Sequence, residues 1–255
     1  MYTTKVCGFQ KKAGIPFFSF ARRKVRHEGK GETQAFMNEE IHKHEAAETK
    51  RPRNYHELHP NPALPSVYPY DEALARPIIE KVKALRKENA GKPSRVIVAL
   101  DGRCGSGKTS IAALLTRIFK CDVIHMDGHY LPFSRRKPDW EAQHAGNIDL
   151  AGVKRALLAS SGEVLILEGS YAHHPSLWTF PADKAENLSC VKVFVTCAKE
   201  EQARRLLLRE GAHFAEFERL WIPLEERYFA DLRVEEKSDL RICTDPGGEE
   251  TKQGK

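Results

Sequence analysis

Five short runs of apolar residues punctuate the chain after its first third: Val96–Leu100, Val123–Met126, Val164–Leu167, Val191–Val195 and, more weakly, Leu240–Cys243. Each is rich in β-branched residues and too short for a core helix, so each predicts a buried strand. Between them lie stretches with helical spacing, of which Ile111, Leu114, Leu115 and Ile118 is the clearest. Uniformly apolar strands alternating with helices predict a parallel sheet covered on both faces. Ahead of the first strand, Asp71 is placed to cap a helix in which Leu74, Ile78, Val82 and Leu85 recur, ending before Gly91. Pro77 within that pattern predicts either a kink or a later start. There is no internal repeat.

The first 55 residues differ from the rest. They lack periodicity and include Ala21-Arg22-Arg23-Lys24-Val25-Arg26. They carry 12 Lys and Arg against 6 Asp and Glu, which is the whole of the chain's formal charge of +6. The remainder is neutral, so a basic groove for nucleic acid across the folded part is not supported. This segment reads as a solvated extension, with a basic transit peptide or a start at Met37 as alternatives. Pro60, Pro62, Pro65 and Pro69 predict an extended linker behind it. The organisation expected is an N-terminal extension and linker over 1–70, a folded domain over 71–245 and a polar tail over 246–255. No apolar stretch reaches membrane-spanning length. The six cysteines form no C-x-x-C pair, which points to reduced thiols and a cytoplasmic location.

The chemistry begins at Gly102-Arg103-Cys104-Gly105-Ser106-Gly107-Lys108-Thr109, which fits G-x-x-x-x-G-K-[ST]. A chance match in a chain of this length has a probability on the order of 1%. Here the loop also follows a predicted strand and opens a predicted helix. A polyphosphate needs converging backbone N–H groups and a chain that wraps closely, which Gly102, Gly105 and Gly107 permit. The helix N-terminus adds its own amides and dipole. Lys108 supplies a cation for the β- and γ-phosphates, and the Thr109 hydroxyl can ligate Mg²⁺. Gly102, Cys104, Gly105, Ser106, Gly107, Lys108, Thr109 and Ser110 are the expected nucleotide contacts.

Ligands of open α/β sheets lie beyond the carboxyl ends of the strands, and two acids follow predicted strands. Asp127 fits a base for a phosphoryl-accepting hydroxyl, and Glu168 fits a holder of Mg²⁺ or of its waters. The alternative for such acids is an ordinary turn or cap role. Gly128–Asn147 holds His129, Tyr130, Phe133, Trp140 and His144. A loop of that length predicts binding, with its aromatics either stacking on a ring or anchoring the core. His173-His174 has no third ligand at a useful spacing, which argues against a metal pair. Glu201–Arg209 predicts a helix bearing Arg204, Arg205 and Arg209 that leads past Gly211 to Trp221, the pattern of a lid that closes on phosphates.

Together VIVALDGRCGSGKTS, VIHMDGHYLP, ILEGSYAHHPSL, EEQARRLLLREG and WIPLEERYF resemble the bacterial uridine kinase-like group of P-loop kinases, across about residues 75–243. The resemblance implies a three-layer P-loop NTPase fold of the α/β class, with five parallel strands flanked by helices and the P-loop strand central. It implies ATP with Mg²⁺ as donor and a nucleoside or similar alcohol as acceptor. It places the catalytic aspartate at Asp127, the strand-end glutamate at Glu168 and lid arginines at Arg205 and Arg209. The acceptor is then expected near Asp127, Tyr130, Glu168 and Tyr171. The sequence departs from the family pattern at Gly128 and His129, where an acid and an aromatic are expected, and this bears on the acceptor. The expected activity is a kinase for a small acceptor such as uridine. The alternatives are a kinase for a sugar or vitamin precursor, and a nucleotide-dependent switch; the N-K-x-D run of guanine-specific switches is absent.

Overall fold

In the structure, a computed structural model, residues 70–92, 94–182, 187–246 and 252–253 are described. The expected N-terminal extension, its prolines up to Pro69 and most of the C-terminal tail lie outside them. The first helix, α1 (Glu72–Glu88), begins where Asp71 Oδ1 accepts a hydrogen bond from Leu74 N–H at 3.1 Å. Pro77 sits inside the helix without delaying its start. Ala75, Ile78, Ile79 and Val82 face the core from it, as spacing of three and four residues dictates.

The five apolar runs form β1 (Arg95–Gly102), β2 (Asp122–His125), β3 (Val164–Glu168), β4 (Leu188–Thr196) and β5 (Leu240–Cys243). All five are parallel, in the order β2-β3-β1-β4-β5. A two-residue strand, β6 (Lys252–Gln253), extends the sheet antiparallel to β5. The other main helices are α2 (Lys108–Phe119), α3 (Leu150–Ala159), α4 (Lys199–Glu210) and α5 (Ile222–Leu232).

The core lies on both sides of the sheet. Val96, Val98 and Leu100 of β1 join α1 and α2 on one face, while Ile97 joins α3 and α5 residues on the other. A strand with both faces buried needs apolar residues at every position, which is why the runs show no alternation. Among the described residues no helix is long and apolar enough to cross a membrane.

The strand order sets up the site. β1 is flanked by β3 and β4, neither of which is next to it in sequence. The carboxyl ends of β2, β3 and β1 therefore stand side by side, with a crevice where the connections diverge.

Candidate active site

The P-loop leaves β1 at Gly102, whose φ is +132° and whose Cα lies so near β4 that a Cβ would stand 1.9 Å from Val195 O. No L side chain fits there. Gly107, at φ +91°, admits the Tyr70 ring in the same way, with a Cβ meeting the hydroxyl at 2.5 Å. The fully buried carboxylate of Asp101 braces the loop's base. It accepts from Gly102 N–H (2.7 Å), Tyr171 N–H (3.2 Å), His173 N–H (2.8 Å) and the Tyr228 hydroxyl (2.8 Å). Four donors make this charge tolerable at zero exposure, and they tie β1 to the chain after β3 and to α5.

At the other end of the loop, Lys108 opens α2 and its ammonium donates to Gly102 O at 2.7 Å and Arg103 O at 2.9 Å. Thr109 Oγ1 lies 3.4 Å from Glu168 Oε2. The other Glu168 oxygen meets His125 Nδ1 at 2.5 Å, because β2 and β3 pair with His125 opposite Glu168. That hydrogen bond raises the His125 pKa above its ordinary value, against the opposing effect of burial. A hydroxyl beside a buried carboxylate is a hard-oxygen pair that fits Mg²⁺, which takes few protein ligands and completes its shell with phosphate and water.

Asp127 is exposed, on a single 3-10 turn, Met126–His129, immediately after β2. Its charge acts on His125 and on Tyr130. Tyr130 is 38% exposed and Phe133 51% exposed, whereas Trp140 is 7% exposed. The aromatics of this loop therefore divide. Trp140 is an anchor, with Arg136 stacked 5.1 Å from its centre, and Tyr130 and Phe133 face outward. Trp221 bridges the groups, 5.9 Å from Trp140 and 6.4 Å from Tyr130. The expected open loop is ordered by three 3-10 turns and by a bridge between Tyr130 and Ile148.

Tyr171 is buried, with a left-handed φ of +72°, a costly conformation for an aromatic residue. Its amide bond to Asp101 and its ring contact with Tyr228 at 4.8 Å hold it there. Burial first, then the carboxylates of Glu225 and Asp101, keep its hydroxyl protonated. Next to it, His173 is a buried strut whose Nε2 lies 2.9 Å from Ala99 O. His174 instead stacks on Tyr228.

The three arginines of α4 have different roles. Arg204 forms a two-point bond to Glu201. Arg205, expected in the lid, is 5% exposed and lies beneath the P-loop. It donates to Glu201 Oε1 (2.6 Å), Thr244 Oγ1 (2.9 Å), Thr244 O (2.6 Å) and Gly105 O (3.3 Å). With a further bond to the Tyr70 hydroxyl at 3.4 Å, a guanidinium held at this many points does not swing onto a ligand, so the contacts point to Arg205 as a support of the loop. Arg209, partly exposed, ends α4 with Nε 2.5 Å from Glu210 Oε1 and with Phe217 5.9 Å away. Its charge reaches Cys104. Beyond it the chain turns at Gly211 (φ +56°) and runs through short 3-10 and α turns and a five-residue π segment, Phe217–Trp221, into α5. Such irregular helix marks sites of movement or binding.

Several site residues carry no signal in the sequence. His125 meets Glu168 through strand register. Glu226 binds Arg103 of the P-loop at 2.6 and 3.1 Å, and Glu225 Oε2 accepts from Cys104 N–H at 2.9 Å. A spacing of more than 120 residues hides such pairs from any local pattern.

No family model matches the chain. The ATP-dependent lipid A-core flippase of Salmonella typhimurium is 51% identical over 53 residues, which are 20% of this chain and 9% of the flippase. That of Escherichia coli is 52% identical over 52 residues, again 9% of its length. Among solved structures, a possible uridine kinase from Bacillus stearothermophilus aligns with 66% of this chain and 100% of its own, at 15% identity and a TM-score of 0.40. Polyphosphate kinase 2 from Arthrobacter aurescens TC1 aligns with 67% of each chain, at 17% identity and a TM-score of 0.38. These likenesses are too partial to assign an activity to this chain.

Proposed function

We propose that this chain is an ATP-dependent kinase that transfers the γ-phosphoryl group to a hydroxyl of a small acceptor, with a nucleoside such as uridine as the first candidate. One observation carries the reading. The strand order brings the P-loop, the Thr109–Glu168 oxygen pair and Asp127 to adjacent strand ends. An exposed carboxylate at the end of β2, close in the sheet order to the P-loop strand, supports a role for an acceptor hydroxyl over nucleotide holding alone.

In this reading the loop amides and Lys108 hold the phosphates, and Thr109 with Glu168 would hold Mg²⁺. Bound there, the ion would supply positive charge that offsets the phosphates. Asp127 orients the acceptor hydroxyl and takes its proton as the oxygen bonds to the γ-phosphorus. The bond from that phosphorus to the β-bridging oxygen breaks, and ADP leaves with the electron pair. Arg209 stabilises charge on the transferring group, a role supported by its influence on Cys104 of the loop, and the segment to Trp221 excludes water. Tyr130 and Tyr171 line the acceptor side.

Coupled ADP release across nucleosides, sugar alcohols and pantothenate tests the reading. At least one acceptor raises ADP release well above the rate in its absence. If none does while ATP still binds, the nucleotide switch replaces the kinase.

A further inference from the structure

The helix that follows the lid segment grips the P-loop with two adjacent glutamates, in different ways. Glu226 neutralises Arg103 through two hydrogen bonds. Glu225 is 5% exposed and forms no ion pair among the described residues. Its Oε2 accepts from Cys104 N–H at 2.9 Å, and its Oε1 accepts from the Ser170 hydroxyl.

The Cys104 amide belongs to the set that a P-loop turns toward phosphate. A carboxylate oxygen at that amide has the charge and hydrogen-bonding capacity of a phosphate oxygen. Charged and titratable groups face it from several elements. Lys108 and Cys104 act on Glu225 from the loop. Tyr171, after β3, and Tyr130, after β2, both feel its charge, and Tyr130 also feels Asp127. Arg209 of α4 lies on the Cys104 side, and Arg227 of α5 acts on Tyr171. Glu225 thus joins the P-loop, through Cys104, to the segment after β3, through Ser170.

We propose that Glu225 is a built-in competitor for the terminal phosphoryl group at the Cys104 amide, so that the site weighs triphosphate against diphosphate by displacing a carboxylate. The inference rests on nucleotide binding at the P-loop, the premise of the proposed function. Its consequence is selectivity. A diphosphate leaves the Glu225 bond intact, and a triphosphate must break or neutralise it. Burial raises the Glu225 pKa, so falling pH removes the competing charge.

The test is calorimetric titration of the full chain with MgATP and with MgADP, for wild type and Glu225→Gln. Glutamine keeps the shape and an acceptor oxygen but lacks the charge. It tightens MgATP on the order of tenfold and leaves MgADP nearly unchanged, and its gap from wild type narrows as pH falls. Ser170→Ala, which leaves the charge but removes its tether, moves the ATP-to-ADP ratio the same way and decides the matter if Glu225→Gln does not fold. Equal shifts for both nucleotides, or weaker binding of both, show a structural tie and overturn the proposal while leaving the kinase reading standing. Absence of nucleotide binding in wild type overturns both.

Discussion

Replacing Arg205 by methionine separates support of the loop from action in a lid. Methionine keeps much of the side-chain volume and removes every hydrogen bond of the guanidinium. Glu201 keeps Arg204, so it does not become an unpaired charge, and the full 3–5 kcal/mol cost of breaking a buried pair does not apply. Thr244 O and Gly105 O lose their Arg205 donor, and orphaned buried groups cost about 1–3 kcal/mol each. Relaxation of the nearby chain reduces the sum to about 3 kcal/mol. For a domain of this size that corresponds to a fall in Tm of roughly 6–12 °C. Thermal and urea unfolding give the stability, and steady-state kinetics give the catalytic effect. A support predicts the loss of stability together with a raised KM for ATP, as Gly105 and the loop loosen. Lysine restores little, because a point charge cannot reproduce the fork. An unchanged Tm with a hundredfold loss of kcat would return Arg205 to the lid and refute the argument.

Further outcomes follow from the same contacts. Gly102→Ala drives a Cβ into the Val195 carbonyl, 1.9 Å away at φ +132°; it should unfold the domain or abolish nucleotide binding, read by circular dichroism and calorimetry. Glu201→Gln tests a carboxylate whose pKa is lowered from 4.5 to about 2 by its hydrogen bond to Arg204 and then by Arg205. A depressed pKa contributes stability above the unfolded value, and that contribution disappears as pH falls through the folded one. The variant is therefore less stable at neutral pH, by about 1 kcal/mol, and the difference fades between roughly pH 4 and pH 2 in urea titrations. Thr109→Val removes the hydroxyl beside Glu168 with little change in shape. The Mg²⁺ concentration for half-maximal turnover should rise, with Tm nearly constant.

The sheet was legible because its central strands β1 and β3 are buried on both faces and carry unbroken apolar runs. All five strands fall within a few residues of their expected limits. The P-loop was legible because close approach to β4 and to the Tyr70 ring requires glycine at 102 and 107, and Asp71 because capping is local. Helix α3 did leave a signal, in the cap Asp149 Oδ1 to Gly152 N–H at 2.8 Å and the buried pair Val153 and Leu157, yet the loop before it obscured the start. What could not be read is whatever depends on distant neighbours. Strand register sets His125 against Glu168, and the packing of α5 sets Glu225 and Glu226 on the loop. Arg205 and Arg209 look alike on a helical wheel. One is buried under the P-loop and the other is partly exposed beside Glu210 and Phe217, and the difference lies in what packs against α4.

Transfer of isotope from γ-labelled ATP to an acceptor tests the central claim most directly, with wild type and Asp127→Asn compared in parallel. The account predicts label in a phosphorylated acceptor for wild type. The variant should bind ATP with nearly unchanged affinity and lose transfer by about a hundredfold or more. Label appearing only as inorganic phosphate with every acceptor, or an equal yield from Asp127→Asn, would contradict it.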